Sequence, residues 1–286
     1  MKNIITLIYS ILTAILLISA CKKEDGEGSG TKAVFSYVAD GYKVNFTNFS
    51  TNSTEYLWDF GDGSNETSTK NSPQHIFKSK GNFLVSLTTK NGSATSTFID
   101  TVSIVGPNIK IDGDFTDWEY VGYTYTNAAG TGGNLQSIKT FASATHLNFY
   151  LEGGPDMKME IIDLYLDADN NTATGFSTWQ YPAGSGAEFL FEGSFVGGWG
   201  DMYVHSGPPA GFNFSPISSF AEELSYSTIK TVAGKKVIEF SIKKDKLGTL
   251  RNFVNFSITE LTSGWADVGS LPVSQTPEST YGKIQL

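Results

Sequence analysis

Two groups of residues in this chain have types and spacing suited to chemistry. Asp167-Ala168-Asp169-Asn170-Asn171-Thr172-Ala173-Thr174-Gly175 packs oxygen-bearing side chains into a short loop directly after an apolar run. Calcium accepts carboxylate, amide and carbonyl oxygens in flexible geometry, so Asp167, Asp169 and Asn171, at alternate positions, could share one ion. The loop lacks the full EF-hand pattern and its terminal bidentate glutamate. An Asx-rich turn, in which the same side chains bond nearby amides, is the competing reading. A bound ion would brace the loop rather than perform chemistry.

The second group is aromatic. Trp179, Trp199 and Trp265 lie in glycine- or serine-rich stretches that read as loops, within segments such as Phe176-Ser177-Thr178-Trp179-Gln180-Tyr181-Pro182 and Gly197-Gly198-Trp199-Gly200-Asp201-Met202-Tyr203. An aromatic ring offers a flat apolar face to the C–H side of a pyranose, while neighbouring amides and carboxylates bond its hydroxyls. Gln180 and Asp201 are the polar partners of such a platform, and Tyr181 adds a ring to it. The competing reading has each ring plugging the end of a sandwich.

Catalytic alternatives find little support. Glu188, Glu192, Asp201, Glu222 and Glu223 could supply the paired carboxylates of glycoside hydrolysis, yet scattered acids more commonly serve solvation or cation coordination. There is no zinc-type histidine pair, no Gly-x-Ser-x-Gly elbow and no phosphate-cradling loop. His146, His205, Met157, Met159 and Met202 form no recognisable haem-ligand motif. The formal charge of -9 argues against nucleic acid or anionic lipid as partner and disfavours a highly acidic polysaccharide.

The N-terminus bears on location. Lys2, the apolar stretch from Ile4 to Ile18 and the sequence Ile18-Ser19-Ala20-Cys21 resemble a signal peptide with the lipobox cleaved by lipoprotein signal peptidase. The apolar run is short for a membrane span. Cys21 is the only cysteine, which excludes disulfides within the chain and makes acylation its expected fate. A secretory signal with a chance cysteine would instead leave an unpaired thiol in an oxidising compartment. Residues 1–20 are thus expected to be signal peptide and residues 21–30 a flexible tether, acidic, glycine-rich and without apolar side chains. The acidic stretch after Cys21 resembles the surface-export signal of Bacteroidetes-type lipoproteins, which implies an outer-membrane protein, lipid-anchored through Cys21 and facing the exterior.

The elements that must position these residues are strands. Gly 30, Tyr 13 and Phe 20 with only 17% charged residues suit short strands and tight turns. The expected fold class is all-β, two β-sandwich domains in series. Residues 31–106 carry short alternating runs, among them Tyr56-Leu57-Trp58-Asp59-Phe60-Gly61-Asp62-Gly63, His75-Ile76-Phe77 and Gly81-Asn82-Phe83-Leu84-Val85-Ser86-Leu87. This series resembles the polycystic kidney disease (PKD) domain, an immunoglobulin-like sandwich that serves as a spacer or contact module. Trp58 and Phe60 share one face and should enter its core, while His75 should fix a turn.

Residues 107–286 open with Ile111-Asp112-Gly113 and Asp117-Trp118. Apolar runs follow at 135–142, 146–151, 159–166, 187–191, 201–205, 223–230, 236–242 and 253–260. They predict a second, larger antiparallel sandwich of roughly eight to ten strands. The opening motif, Asp163 to Phe176, and Gly186-Ala187-Glu188-Phe189 together resemble family 9 carbohydrate-binding modules and the wider DOMON-like group. The resemblance implies binding of polysaccharide or oligosaccharide without catalysis, supports calcium, and assigns Trp179 and Trp199 as a sugar-sandwiching pair, with Trp265 third. The whole arrangement is similar to surface glycan-binding lipoproteins of polysaccharide-utilisation systems, which implies an outer-membrane transporter or glycan-degrading enzymes as partners. A surface adhesion or protein-assembly module is the alternative.

Overall fold

The computed structural model describes residues 30–286. The expected signal peptide, Cys21 and nearly all of the expected tether lie outside the described residues. The N-terminal strands are β1 (Phe35–Asp40), β2 (Lys43–Asn48), β3 (Glu55–Asp59), β4 (Thr67–Ser68), β5 (Gln74–Ile76), β6 (Gly81–Asn91) and β7 (Ala94–Ile104). They form two antiparallel sheets, β1-β2-β5 and β4-β3-β6-β7. Alternation along β3 sends Trp58 inward, where it is fully buried between Phe35 and Phe46 and donates its ring N–H to the Lys70 carbonyl at 2.9 Å. Phe60 is buried in the same core, as its spacing predicts. The following turn requires glycine at Gly61, whose φ is +66° and whose added Cβ would lie 2.2 Å from the Leu84 carbonyl oxygen.

The second set of strands comprises β8 (Tyr125–Thr126), β9 (Leu135–Ala142), β10 (His146–Gly153), β11 (Ile161–Asp167), β12 (Phe189–Ser194), β13 (Trp199–His205) and β14 (Phe214–Ser219). After the one-turn helix α1 (Phe220–Glu223) come β15 (Leu224–Tyr226), β16 (Lys230–Val232), β17 (Lys235–Lys243), β18 (Phe253–Leu261), β19 (Asp267–Leu271) and β20 (Gly282–Gln285). One sheet runs β15-β17-β10-β9-β8 with β16 on β17; the other runs β14-β13-β12-β11-β18-β19 with β20 on β18. All these pairings are antiparallel, so the fold is all-β with sandwich-like domains.

Between the two sheets lies an apolar core in which Phe149 stacks on Phe240 at 4.6 Å and Phe191, Phe256, Leu164 and Ile258 are fully buried. The strands outnumber those expected because β8, β14, β16, β19 and β20 are short or irregular edge pieces without a clean apolar alternation. The expected strand over 223–230 is interrupted. Ser219 and Glu222 make a capping box that winds residues 220–223 into α1 first.

The opening motif of this domain is held by one carboxylate. Glu239, on β17 and fully buried, accepts from the Asp112 and Gly113 N–H groups at 3.0 and 2.6 Å and from the Trp118 indole at 2.9 Å. Trp118 packs with Tyr150 and Val237 on the outside of the β10-β17 sheet rather than in the central core.

Candidate functional site

Alternation places the candidate residues on the outer face of the second sheet. On β11, Ile162, Leu164 and Leu166 enter the central core, leaving Asp163, Tyr165 and Asp167 on the opposite face. On β12, Phe189 and Phe191 point inward and Leu190 and Glu192 outward; on β13, Met202 and Val204 point inward and Asp201 and Tyr203 outward. The register sets Asp163 opposite Glu192, and Glu192 opposite Asp201. Three carboxyl groups therefore stand in a row across three adjacent strands, about 5 Å apart from strand to strand. Burial, followed by the neighbouring Glu192 and Asp267, pushes the Asp163 carboxyl up to about 7. Glu192 is likewise raised by burial. On the other side of Asp163, Thr259 of β18 is its register partner.

Part of this face is covered by the segment between β11 and β12. Phe176, Tyr181 and Ala187 pack there against Tyr165, Leu190 and Tyr281. Tyr181 is fully buried and donates its hydroxyl to the Pro272 carbonyl at 2.8 Å, which removes it from any ligand-contacting surface. The expected role of Tyr181 in binding is therefore corrected: it pins the covering segment, and only its neighbours face outward. Trp179 is 71% exposed. Gln180 donates from Nε2 to Asp267 Oδ2 at 3.0 Å and accepts at its backbone carbonyl from the Gln275 N–H at 2.8 Å.

That contact ties the Trp179 segment to the start of β19, two residues after Trp265. Trp265 is 52% exposed at the tip of the β18–β19 hairpin, with a left-handed φ of +64°. Such a backbone is costly for a bulky residue and is retained where the surroundings or a function require it. Trp199 is 49% exposed but begins β13 rather than lying in a loop, and it stands opposite Ser194. Trp199 and Asp201 share the outer face, two residues apart on one strand. Hydrogen bonding thus joins the Trp179 segment to the Trp265 hairpin rather than to Trp199.

At the opposite end of β11, Asp167, Asp169 and Glu188 each bring an oxygen to within 4.8 Å of the other two. Asp167 accepts from the Asn170 N–H and the Asn255 amide at 2.7 and 2.8 Å, and Glu188 from the Ala168 N–H at 2.8 Å. Burial, then the repulsion of Asp169 and Asp167, raises Glu188 to about 7 against that hydrogen bond. The carboxamide oxygen of Asn170 is buried without a partner. Asn171 departs from the expected ligand set. It is exposed, and its Oδ1 accepts from the Ala173 N–H at 3.2 Å in an Asx turn, while Glu188 provides the third carboxylate. The donor set is all oxygen and suits a hard cation.

The places of Asp163 and Asp267 on this face, and of Glu188 beside Asp167 and Asp169, are not legible in the sequence. Asp163 alternates with apolar residues in β11, which marks it as outward-facing, but the cross-strand register that places it beside Glu192 has no local signal.

Among curated proteins, none matches the chain. The model of the PKD domain matches residues 32–105. The segment is therefore similar to a PKD domain. Among solved structures, the PKD1 domain of Vibrio anguillarum Epp is 29% identical, covering 27% of this chain and 96% of that chain, with a TM-score of 0.26. A carbohydrate binding module family 9 from Caldicellulosiruptor kristjanssonii in complex with cellotriose is 13% identical over 63% of this chain and 89% of that one, with a TM-score of 0.36. The same module in complex with glucose is 13% identical over 63% and 91%, with a TM-score of 0.38. In the PKD domain His75 plays the framework part its position suggests. It stacks on Phe60 at 3.9 Å and bonds Asp62 at 2.8 Å. Although burial opposes it, hydrogen bonds from Ser64 and His75 hold the Asp62 carboxyl down to about 2.

Proposed function

We propose that the chain is a non-catalytic glycan-binding lipoprotein that captures polysaccharide or oligosaccharide at the cell surface. The observation that carries this reading is the Gln180–Asp267 hydrogen bond, which ties together the two segments that carry the exposed indoles Trp179 and Trp265, beside an outer sheet face bearing Asp163, Glu192 and Asp201. Aromatic faces supply stacking area, and the carboxylates and amides supply hydroxyl recognition. Trp199 extends the surface along β13. The exposed rings are attached to framework that is itself fixed, through Tyr181 and Gln275, so little is lost in ordering them on binding.

In this reading Cys21 carries the lipid anchor in the outer membrane, and the PKD domain holds the binding domain away from it. An outer-membrane transporter or glycan-degrading enzymes receive the captured sugar. Calcium, held by Asp167, Asp169 and Glu188, would cross-link the loop after β11 to the residue that precedes β12 and so support the covering segment that bears Trp179. The test is a glycan-array and affinity-gel screen of the protein beside Trp179→Ala, Trp265→Ala and Trp199→Ala. Selective retention, lost at least ten-fold in Trp179→Ala and Trp265→Ala, is expected. A folded protein that retains no glycan would sink the reading and favour adhesion or protein assembly. Palmitate labelling abolished by Cys21→Ser tests the anchor.

A further inference from the structure

The row Asp163, Glu192 and Asp201 is an unusual surface for a sheet, since like charges directly opposite one another on adjacent strands oppose pairing. The groups facing it are Thr259 on β18, Tyr165 and Tyr203 on the same strands, Asp267 on β19 and Tyr181 from the covering segment. None is cationic. The ion pairs among the described residues use other carboxylates, those of Asp62, Glu66, Glu152, Glu160 and Glu223.

A second, independent feature is unmet hydrogen-bonding capacity. Thr259 is 1% exposed and its hydroxyl has no partner, although it lies directly across from Asp163; Asp163 Oδ1 is also buried without a partner. Buried polar atoms are seldom left unpartnered, and here two of those among the described residues face each other across β11 and β18.

We propose that the saccharide bound on this face bears a free protonated amine, with its ammonium group seated on Asp163, Glu192 and Asp201. This rests on the glycan-binding reading above and narrows its ligand to amino sugars. An ammonium offers three donors and no acceptor, which matches a set of carboxylate oxygens, whereas a sugar hydroxyl offers one donor. Its charge offsets the like-charge row, and the indole faces of Trp179 and Trp265 attract cations as well as pyranose rings. The same face disfavours uronic acids and sulfated sugars, whose charge repeats its own.

The full chain, in detergent, is titrated calorimetrically with a glucosamine oligosaccharide, the N-acetylated oligosaccharide of equal length, a cello-oligosaccharide and an oligogalacturonate. The free-amine oligosaccharide is expected to bind at least ten-fold more tightly than its N-acetylated counterpart, with a salt dependence the neutral ligands lack, and the galacturonate not at all. Glu192→Gln and Asp201→Asn should collapse the ratio between free-amine and N-acetylated ligands. Comparing two ligands on unaltered protein keeps the test valid where a variant fails to fold. Equal or tighter binding of a neutral oligosaccharide overturns the amine inference and leaves the glycan reading standing. So does a free-amine preference that survives both substitutions, since it places the ammonium elsewhere. Absence of binding to every saccharide by folded protein removes both.

Discussion

Replacing Asp163 by asparagine should stabilise the second domain at alkaline pH while weakening ligand capture. Burial, then the neighbouring Glu192 and Asp267, push the Asp163 carboxyl up to about 7 from an ordinary 3.8. Between those values the folded protein holds a proton that the unfolded chain has released, so unfolding becomes easier as pH rises through the window. At about 1.36 kcal/mol for each tenfold change in proton affinity, this displacement sets a ceiling of about 4 kcal/mol above pH 7. Two unit charges about 5 Å apart at an effective dielectric of about 20 repel by about 3 kcal/mol, which is the same order. Asparagine removes the charge but keeps a buried polar group, so about 2 kcal/mol should be recovered. At about 2–4 °C per kcal/mol for a domain of this size, the melting temperature should rise by about 4–8 °C at pH 8. Near pH 4 the folded carboxyl is protonated and the unfolded one is close to its own midpoint, so the gain should shrink below about 1 kcal/mol. Calorimetry at the two pH values reads this directly, with the PKD transition as internal reference. A variant that melts lower at pH 8, or shifts equally at both pH values, would refute the argument.

Three further outcomes follow from the contacts. Tyr181→Phe should cost about 1 kcal/mol through loss of the bond to Pro272, and Tyr181→Ala about 3–5 kcal/mol as a cavity beneath the covering segment; both are read from urea unfolding, and an unchanged midpoint for the alanine variant would show the ring is not buried. Glu239→Ala strands the Asp112, Gly113 and Trp118 donors and should destabilise the second domain by about 3 kcal/mol or more, measured by its thermal transition; a loss under about 1 kcal/mol would remove Glu239 as the anchor of the opening motif. EDTA should lower the melting temperature of the same domain, an effect absent from Glu188→Gln, with calcium found by elemental analysis of untreated protein; no metal and no shift would leave the Asp167 loop a simple turn.

The strands of both domains that carry strong alternation are legible in the sequence, because one buried face imposes a period of two. Trp58 and Phe60 enter the PKD core for that reason. The edge strands β8 and β16 are not, since a two-residue piece and a wholly exposed one impose no period. At the site, the exposed indoles are legible from their glycine- and serine-rich surroundings, but the burial of Tyr181 is not. Its segment looks like loop from composition alone, and only the fold reveals that the loop lies across a sheet face and buries the ring. Glu188 takes the place of Asn171 in the carboxylate cluster because it arrives from the far end of that loop, immediately before β12, a separation from Asp167 and Asp169 that no local motif records.

The carboxylates set into this domain differ in how many donors the fold gives them, and the contrast bears on function. Glu239 meets three donors, and Glu152 meets the hydroxyls of Tyr123 and Tyr150 and the ammonium of Lys235. Each of these acids is satisfied within the fold and organises a piece of it. Glu223 and Glu260 each leave one oxygen unpartnered but meet Lys246 or backbone amides through the other. Asp163 also leaves an oxygen unpartnered and stands beside another acid, although an asparagine there would spare the repulsion. A fold gains nothing from such an arrangement, whereas a ligand that brings donors and positive charge does. Stability held back at one position of a sheet whose other face is close-packed is what a binding surface requires, since the free energy withheld in the empty state is released on capture.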